Sequence, residues 1–340
     1  MTDDNKPPMF APDGMDSSPS LLRRRLLQVG CYATFGSLVM LNFGKMGQAL
    51  AASSSPVPGG APRRFQVGEY LKFRRYRDSS GAVRSVNGYL DDAWFEKLGL
   101  LPINLVYASR YLDGKGLTAT LNADRLRTIA KDAGPASPVS LDAEEWDKNR
   151  FNPDAPAPNG KSIVQNLIEV VRTFKQANPA SQVGLYSEVP QNTYGFSSST
   201  ASVHDKLNPK YAAVAAEVDY YSPALYNYDH YDGTPAGDLH WAEAAKYAIR
   251  ACKQLDYINH TSKPVLAYIS PGWTDGEKNS RYLSEEQMHF RLDTLKKIGA
   301  SGCILWLSSG AKELGSNESL ILDPHAGWLK AAVEFARNSI

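Results

Sequence analysis

Apolar and polar residues alternate with a period of two along Val139-Ser140-Leu141-Asp142-Ala143-Glu144. Successive side chains of a strand point to opposite faces, so Ser140, Asp142 and Glu144 share one side and Val139, Leu141 and Ala143 the other. The pattern predicts a strand with its apolar face under helices and two carboxylates at its C-terminal end. Similar runs predict strands at Tyr70 to Tyr76, Ile103 to Ser109, Val183 to Glu188, Tyr220 to Tyr226, Val265 to Ser270 and Cys303 to Leu307, seven in all. Between them, Ile163, Val164, Leu167, Ile168, Val171 and Phe174 recur at helical spacing. A second helix is marked at both ends: Ser284 and Gln287 form a capping box, Leu283 and Met288 a hydrophobic staple, and Gly299 a stop. Met288, Leu292, Leu295 and Ile298 line its buried face. Strand and helix alternate without a glycine-rich dinucleotide turn, which predicts an α/β fold: an irregular (β/α) TIM-like barrel of seven strands spanning residues 65–340.

The first fifty residues break this pattern. Arg23-Arg24-Arg25-Leu26-Leu27 opens an apolar run through Phe43, and Ala49-Leu50-Ala51 supplies small residues for cleavage. Residues 1–51 are expected to be a twin-arginine signal peptide, read by the twin-arginine export machinery, and 52–64 a Ser/Pro/Gly-rich linker. Gln28, Gly30, Gly36 and Ser37 interrupt the run, which favours cleavage over a permanent anchor, so no stable membrane insertion is expected afterwards. The expected location is periplasmic or secreted. Cys31 sits too early in the run to be a lipidation site; Cys252 and Cys303 read as two buried thiols rather than a disulfide.

At 340 residues, 43% hydrophobic and 10% aromatic, the chain has ample material for a core. Its first 51 residues hold five of the 37 basic and four of the 36 acidic side chains, leaving 32 of each beyond them. That balance argues against nucleic acid as a partner. A local basic cluster, Arg63, Arg64, Lys72, Arg74, Arg75 and Arg77, reads as a solvated segment.

Two carboxyl groups on one strand face can be driven to different protonation states, which suits acid-catalysed bond cleavage. Aromatic residues at strand ends and in the loops beyond them offer flat apolar platforms to the C–H faces of sugars. Tyr107, Trp146, Tyr186, Tyr194, Tyr268 and Trp306 are candidates for this role, with Tyr226 and Glu188 beside them.

At these residues the chain resembles the hyaluronidase family of glycoside hydrolases, itself built on an irregular seven-stranded barrel. Asp142-Ala143-Glu144-Glu145-Trp146 resembles that family's Asp-Trp-Glu-x-Trp motif, Pro223-Ala224-Leu225-Tyr226 its Pro-Ser-x-Tyr segment, and Leu295 to Trp306 its LGAxGxxxW ending. Leu105 to Ser109 and Gly184 through Tyr194 are similar more weakly, so the likeness runs in order through most of residues 100 to 310. The resemblance implies that Glu144 is the general acid/base and that Asp142 orients the substrate's 2-acetamido group, the nucleophile. It implies further that Tyr226 helps position the acetamido oxygen and that Trp306 shapes the sugar-binding floor. No cofactor and no metal are implied; the expected partner is a polysaccharide or oligosaccharide. Ala143 departs from the family's Trp, the stretch from Pro190 to Tyr194 is one residue longer, and the cysteines for the animal enzymes' disulfides are missing. The departures, with neutral charge, favour a polymer containing N-acetylhexosamine other than hyaluronan.

Three other readings stand beside this one. Glu188 serves as a second catalytic carboxylate opposite Glu144 in a two-carboxylate glycosidase. Asp229, His230, Asp232, Asp238 and His240 crowd one loop and could bind a divalent ion, at a spacing that matches no standard site. A non-catalytic carbohydrate-binding barrel is the third. Gly160-Lys161-Ser162 is a helix start rather than a phosphate loop, since Ala155 stands where the first Gly is needed, and no Gly-x-Ser-x-Gly elbow occurs.

Overall fold

Strand β1 (Gln66–Leu71) sorts its side chains by period two: Val67 and Leu71 join the main core, while Tyr70 packs with a second, inner apolar cluster. The computed structural model describes residues 64–134, 138–191, 196–227, 231–275 and 280–338. The same sorting recurs in β2 (Leu101–Pro102) and β3 (Asn104–Tyr107), in β4 (Val139–Asp142) and β5 (Val183–Leu185), and in β6 (Leu266–Ile269) and β7 (Gly302–Leu307). On β7, for instance, Cys303, Leu305 and Leu307 face the main core, and Ile304 and Trp306 the inner cluster. Both faces of each strand are therefore covered, as parallel sheets require.

The pairings run from segment to segment. β1 pairs in parallel with β7 over six register positions and with β2 on its other side. The Ile103 N–H donates to the Glu69 carbonyl, after which β3 pairs with β4 and β4 with β5, all parallel. Tyr186 then bridges to Ser222, Tyr221 to Val265 and Ala224 to Tyr268, and β6 pairs with β7. The predicted strand Tyr220 to Tyr226 is thus extended chain held by isolated parallel bridges. Pro223 lacks an N–H and breaks its ladder.

Two other predicted strands are corrected. The first lies at Gln66–Leu71 rather than Tyr70 to Tyr76; Arg75–Arg77 instead pairs antiparallel with Val83–Ser85. The third ends at Asp142, because Ala143 turns to φ −121°, ψ 33° and a 3-10 helix occupies Glu144–Asn149. Glu144 opens that helix and is not the last residue of a strand.

Eight α-helices are described: α1 (Asp92–Leu98), α2 (Ala123–Asp132), α3 (Ile163–Ala177), α4 (Ser198–Leu207), α5 (Ala212–Glu217), α6 (Pro235–Asn259), α7 (Glu285–Ile298) and α8 (Gly327–Asn338). The α7 capping box is present: Ser284 Oγ accepts from the Gln287 N–H at 3.2 Å and Gln287 Oε1 from the Ser284 N–H at 3.0 Å. Gly299 closes the helix at φ 90°, where a Cβ would be strained. On α3 the predicted Ile163, Leu167, Val171 and Phe174 are buried, with Val164 and Ile168 packed at the core's margin. Cys252 and Cys303 are buried free thiols. Among the described residues no helix is long and apolar enough to cross a membrane.

Candidate active site

The parallel registers set four side chains in two pairs. Tyr70 on β1 is the register partner of Trp306 on β7, and Tyr107 on β3 is the partner of Asp142 on β4. All four lie at or near the C-terminal ends of their strands, half-buried. Beneath them the inner cluster of Ile103, Leu105, Tyr220, Ala224, Leu266, Tyr268 and Ile304 fills the space between the strands. Ser140 is directed inward there, its Oγ 2.8 Å from the Tyr220 hydroxyl, which itself donates to the Val139 carbonyl.

Aromatic rings make a continuous wall on this floor. Tyr226 stacks on Trp306 at 5.3 Å between centroids and 19° between planes. Tyr186 lies 6.1 Å from Tyr226 and meets Tyr268 edge-on at 4.9 Å. The Trp306 Nε1–H points to the Tyr107 hydroxyl at 3.4 Å, and Tyr107 meets Tyr70 at 6.1 Å. Tyr70, absent from the sequence candidates, therefore belongs to the wall; it falls inside the first predicted strand, and only its register with Trp306 marks it out. Lys72 Nζ lies over its ring, 4.8 Å from the centroid.

Asp142 sits at the rim of this wall. The buried Tyr111 hydroxyl donates to its main-chain carbonyl at 2.8 Å. Burial pushes the Tyr268 phenol well up, and the negative charge of Asp142 adds to the effect.

Two residues further on, burial holds the Glu144 carboxyl well above the ordinary carboxylate range. The charges of Asp147 and Glu145 push the same way and Arg150 opposes them. Glu188, 2% exposed just after β5, is raised likewise by burial, then by the charge of Asp147 and a hydrogen bond with it, and by Glu144. The Gln191 amide donates to Glu188 Oε2 at 3.2 Å and to its carbonyl at 2.8 Å. The half-buried Glu144 and Asp147 and the buried Glu188 thus form one acidic group, in which desolvation and like charge push the Glu144 and Glu188 carboxyls toward their neutral forms. Sequence reading missed Asp147, whose signal was its place three residues after Glu144, one turn of helix. Between Tyr186 and Glu188, Ser187 adopts φ 62°, a left-handed conformation that costs a non-glycine residue about 1–3 kcal/mol and clusters at functional sites.

Two candidate sugar contacts are corrected. Trp146 is fully buried and its Nε1–H donates to the Ala119 carbonyl at 3.2 Å, so it anchors the 3-10 helix rather than facing a ligand. Tyr268 is also fully buried, beneath Tyr186, and supports the floor from below. Tyr194 lies outside the described residues, as do Asp229 and His230. Their loop neighbours are each engaged apart from one another. Asp232 accepts from Thr234, Asp238 pairs with Arg291, and His240 Nε2 lies 2.7 Å from the Phe196 carbonyl. Glu285, His289 and Glu334 bring ligand atoms within 4.8 Å of one another on the surface, where the Lys330 ammonium already sits 2.7 Å from Glu285.

No protein-family model matches the chain, and no curated protein matches it in sequence. Among solved structures it is similar to bee venom hyaluronidase, with 14% identity, 80% of this chain and 96% of that chain covered, and a TM-score of 0.50. A fungal β-1,4-galactanase aligns over 81% of this chain and 99% of its own at 11% identity and TM-score 0.43. The endo-1,4-β-mannanase of Rhizomucor miehei aligns over 84% and 98% at 10% and 0.40. The chain is mixed α/β, and it shares its fold with bee venom hyaluronidase over most of both chains.

Proposed function

We propose that the chain is an exported glycoside hydrolase that cleaves a polysaccharide containing N-acetylhexosamine, using the substrate's own acetamido oxygen as nucleophile. The observation that carries this reading is the layer at the strand ends: Asp142 beside Tyr107, Trp306 pointing its Nε1–H at the Tyr107 hydroxyl and stacking on Tyr226, with the Glu144 carboxyl two residues on from Asp142. The segment-to-segment pairings from β1 round to β7 support an irregular seven-stranded barrel around that layer. Such barrels keep their chemistry at the C-terminal face. The fold shared with a hyaluronidase supports a carbohydrate substrate.

In this mechanism Glu144 gives its proton to the glycosidic oxygen as the bond to the anomeric carbon breaks. The acetamido oxygen bonds to that carbon from the opposite face, with Asp142 holding the amide N–H and Tyr226 the oxygen. Water then opens the cyclic intermediate, returning a proton to Glu144. Burial shifts the Glu144 carboxyl toward its protonated form, the form the first step needs. A two-carboxylate mechanism is the second reading, favoured by the closeness of charge between Glu188 and Glu144.

Glu144→Gln, Glu188→Gln and the parent are to be assayed by reducing-end release on N-acetylated and de-N-acetylated oligosaccharides. Glu144→Gln is expected to lose at least about a hundredfold in kcat, the scale of a general acid, and the parent to cleave only N-acetylated substrates. Equal turnover by Glu144→Gln removes that residue from the mechanism. Equal rates on both substrates favour Glu188 as the second carboxylate, and binding without cleavage by the parent favours a carbohydrate-binding module.

Export rests on residues 1–51, outside the described residues. Replacing Arg23, Arg24 and Arg25 by Lys is expected to retain the protein in the cytoplasm on cell fractionation. Undiminished export would overturn the twin-arginine assignment.

A further inference from the structure

Arg291 on α7 is fully buried, although burying a guanidinium costs several kcal/mol unless its charge is answered. It is answered from several segments. Nη1 donates to Asp238 Oδ1 at 2.7 Å and Nη2 to Asn227 Oδ1 at 2.9 Å, while the plane lies 4.8 Å from the ring centroids of both Tyr231 and Trp241. The Tyr231 hydroxyl donates to the same Asp238 oxygen at 2.7 Å. Asn227 in turn donates to the Ser270 carbonyl, just past β6, at 2.8 Å, and the Trp241 Nε1–H donates to the Leu225 carbonyl at 2.9 Å. Both chain neighbours of Tyr226 are therefore fastened.

The fastening falls where the backbone needs it. The Tyr220 to Tyr226 segment is held by isolated bridges rather than a continuous ladder, and its Leu225 N–H donates to the Tyr268 carbonyl of β6 at 2.7 Å. Tyr226 follows one residue on, and its ring stacks nearly flat on Trp306. An apolar side chain would fill the Arg291 site at less cost in desolvation. Only a planar fork reaches an oxygen on α6 and another at residue 227 together while stacking between two rings.

We propose that Arg291 is a positioning residue for the site: acting through Asn227, it fixes the chain that carries Tyr226 and so holds Tyr226 against Trp306. The effect on cleavage rests on the hydrolase reading above; the effect on the stack does not.

The test uses full-length protein labelled at its six tryptophans with 5-fluorotryptophan, the fluorine resonance of Trp306 being assigned by its loss in Trp306→Phe. Asn227→Ala is expected to shift or broaden the Trp306 resonance while Trp94 on α1 and Trp328 on α8 stay unchanged. Asn227→Asp keeps an oxygen for Arg291 but cannot donate to Ser270, and is expected to resemble the parent. An unmoved Trp306 resonance in Asn227→Ala overturns the proposal; so does Asn227→Asp behaving like Ala, which would assign the hold to Ser270. Should Asn227→Ala fail to fold, Arg291→Lys, which keeps the charge beside Asp238 but lacks the fork, is expected to move the same resonance, and no movement overturns the proposal. On an N-acetylated oligosaccharide that the parent cleaves, Asn227→Ala is expected to lower kcat roughly tenfold with KM within about threefold, the mark of an interaction used in the transition state. Absence of turnover by the parent counts against the hydrolase reading, and the fluorine spectra then judge the positioning role alone.

Discussion

Glu69 on β1 is a carboxyl group buried to 2% exposure on the side of the strand away from the inner cluster. Burial is the main cause that raises its pKa from the usual 4.5 to about 7; the Leu71 N–H, bonded to Oε2 at 2.8 Å, and Lys72 work against this, and Asp92 at the start of α1 with it. Between those pH values the folded protein keeps a proton that the unfolded chain has released. The contribution to stability is thus fully present below pH 4.5 and is lost as pH rises through 7. A shift of this size corresponds to about 3 kcal/mol at about 1.4 kcal/mol per pH unit. Glu69→Gln keeps the shape and an acceptor for Leu71 without the ionisation. Urea unfolding from pH 4.5 to 8 is expected to find the variant gaining on the parent by roughly 2–3 kcal/mol across that range. A difference that stays flat with pH would mean that Glu69 ionises as easily in the folded protein as outside it. Comparison of two proteins cancels the same-signed drift contributed by Glu144 and Glu188.

Elements were legible in the sequence where local signals decide them. α7 carries its capping box, its staple and its left-handed glycine within seventeen residues, and it starts and stops where they say. β4 was legible in its alternation but not in its end, because distant anchors make the stop. The Gly116 N–H donates to Glu145 Oε2 at 2.5 Å, and the Trp146 Nε1–H to Ala119, both from a segment some thirty residues earlier. These bonds pull the chain into a 3-10 helix at the point where period two would have continued, and they turn Trp146 from a presumed ligand contact into core. Glu144 gains Asp147 and Glu188 as neighbours, which no strand alternation could foresee. Arg291 lies three residues after Met288 and four before Leu295, on the apolar stripe already visible in α7. The spacing marks it as a buried cation, but its partners at 227, 231, 238 and 241 are joined to it by tertiary folding alone.

For the molecule as a whole, the junction of β1, β7 and β6 is where the first and last of these parallel strands meet, and Gly302 stands at its base. It is the register partner of Gln66 on one side and of Leu266 on the other. A Cβ added there would overlap the Gln66 carbonyl oxygen and come within 2.9 Å of Leu266 Cδ2. The leucine can turn aside; the carbonyl cannot, since it belongs to the backbone of a strand paired on both sides. Gly302→Ala must therefore part β7 from β1, and the registered pair Tyr70 and Trp306 lies four residues along the same ladder. Overpacking of this kind costs about 1–3 kcal/mol, equivalent in a domain of this size to roughly 2–4 °C of Tm per kcal/mol. Gly310→Ala is the matched control, since its added methyl would meet nothing nearer than Ser308 Oγ at 3.5 Å. Thermal unfolding is expected to leave Gly310→Ala within about 0.5 kcal/mol of the parent and to place Gly302→Ala clearly below it. Equal melting of the two variants would mean that the β1–β7 ladder yields at its base without cost, and that the level of Tyr70 and Trp306 is set by the aromatic wall itself rather than by the strands beneath it.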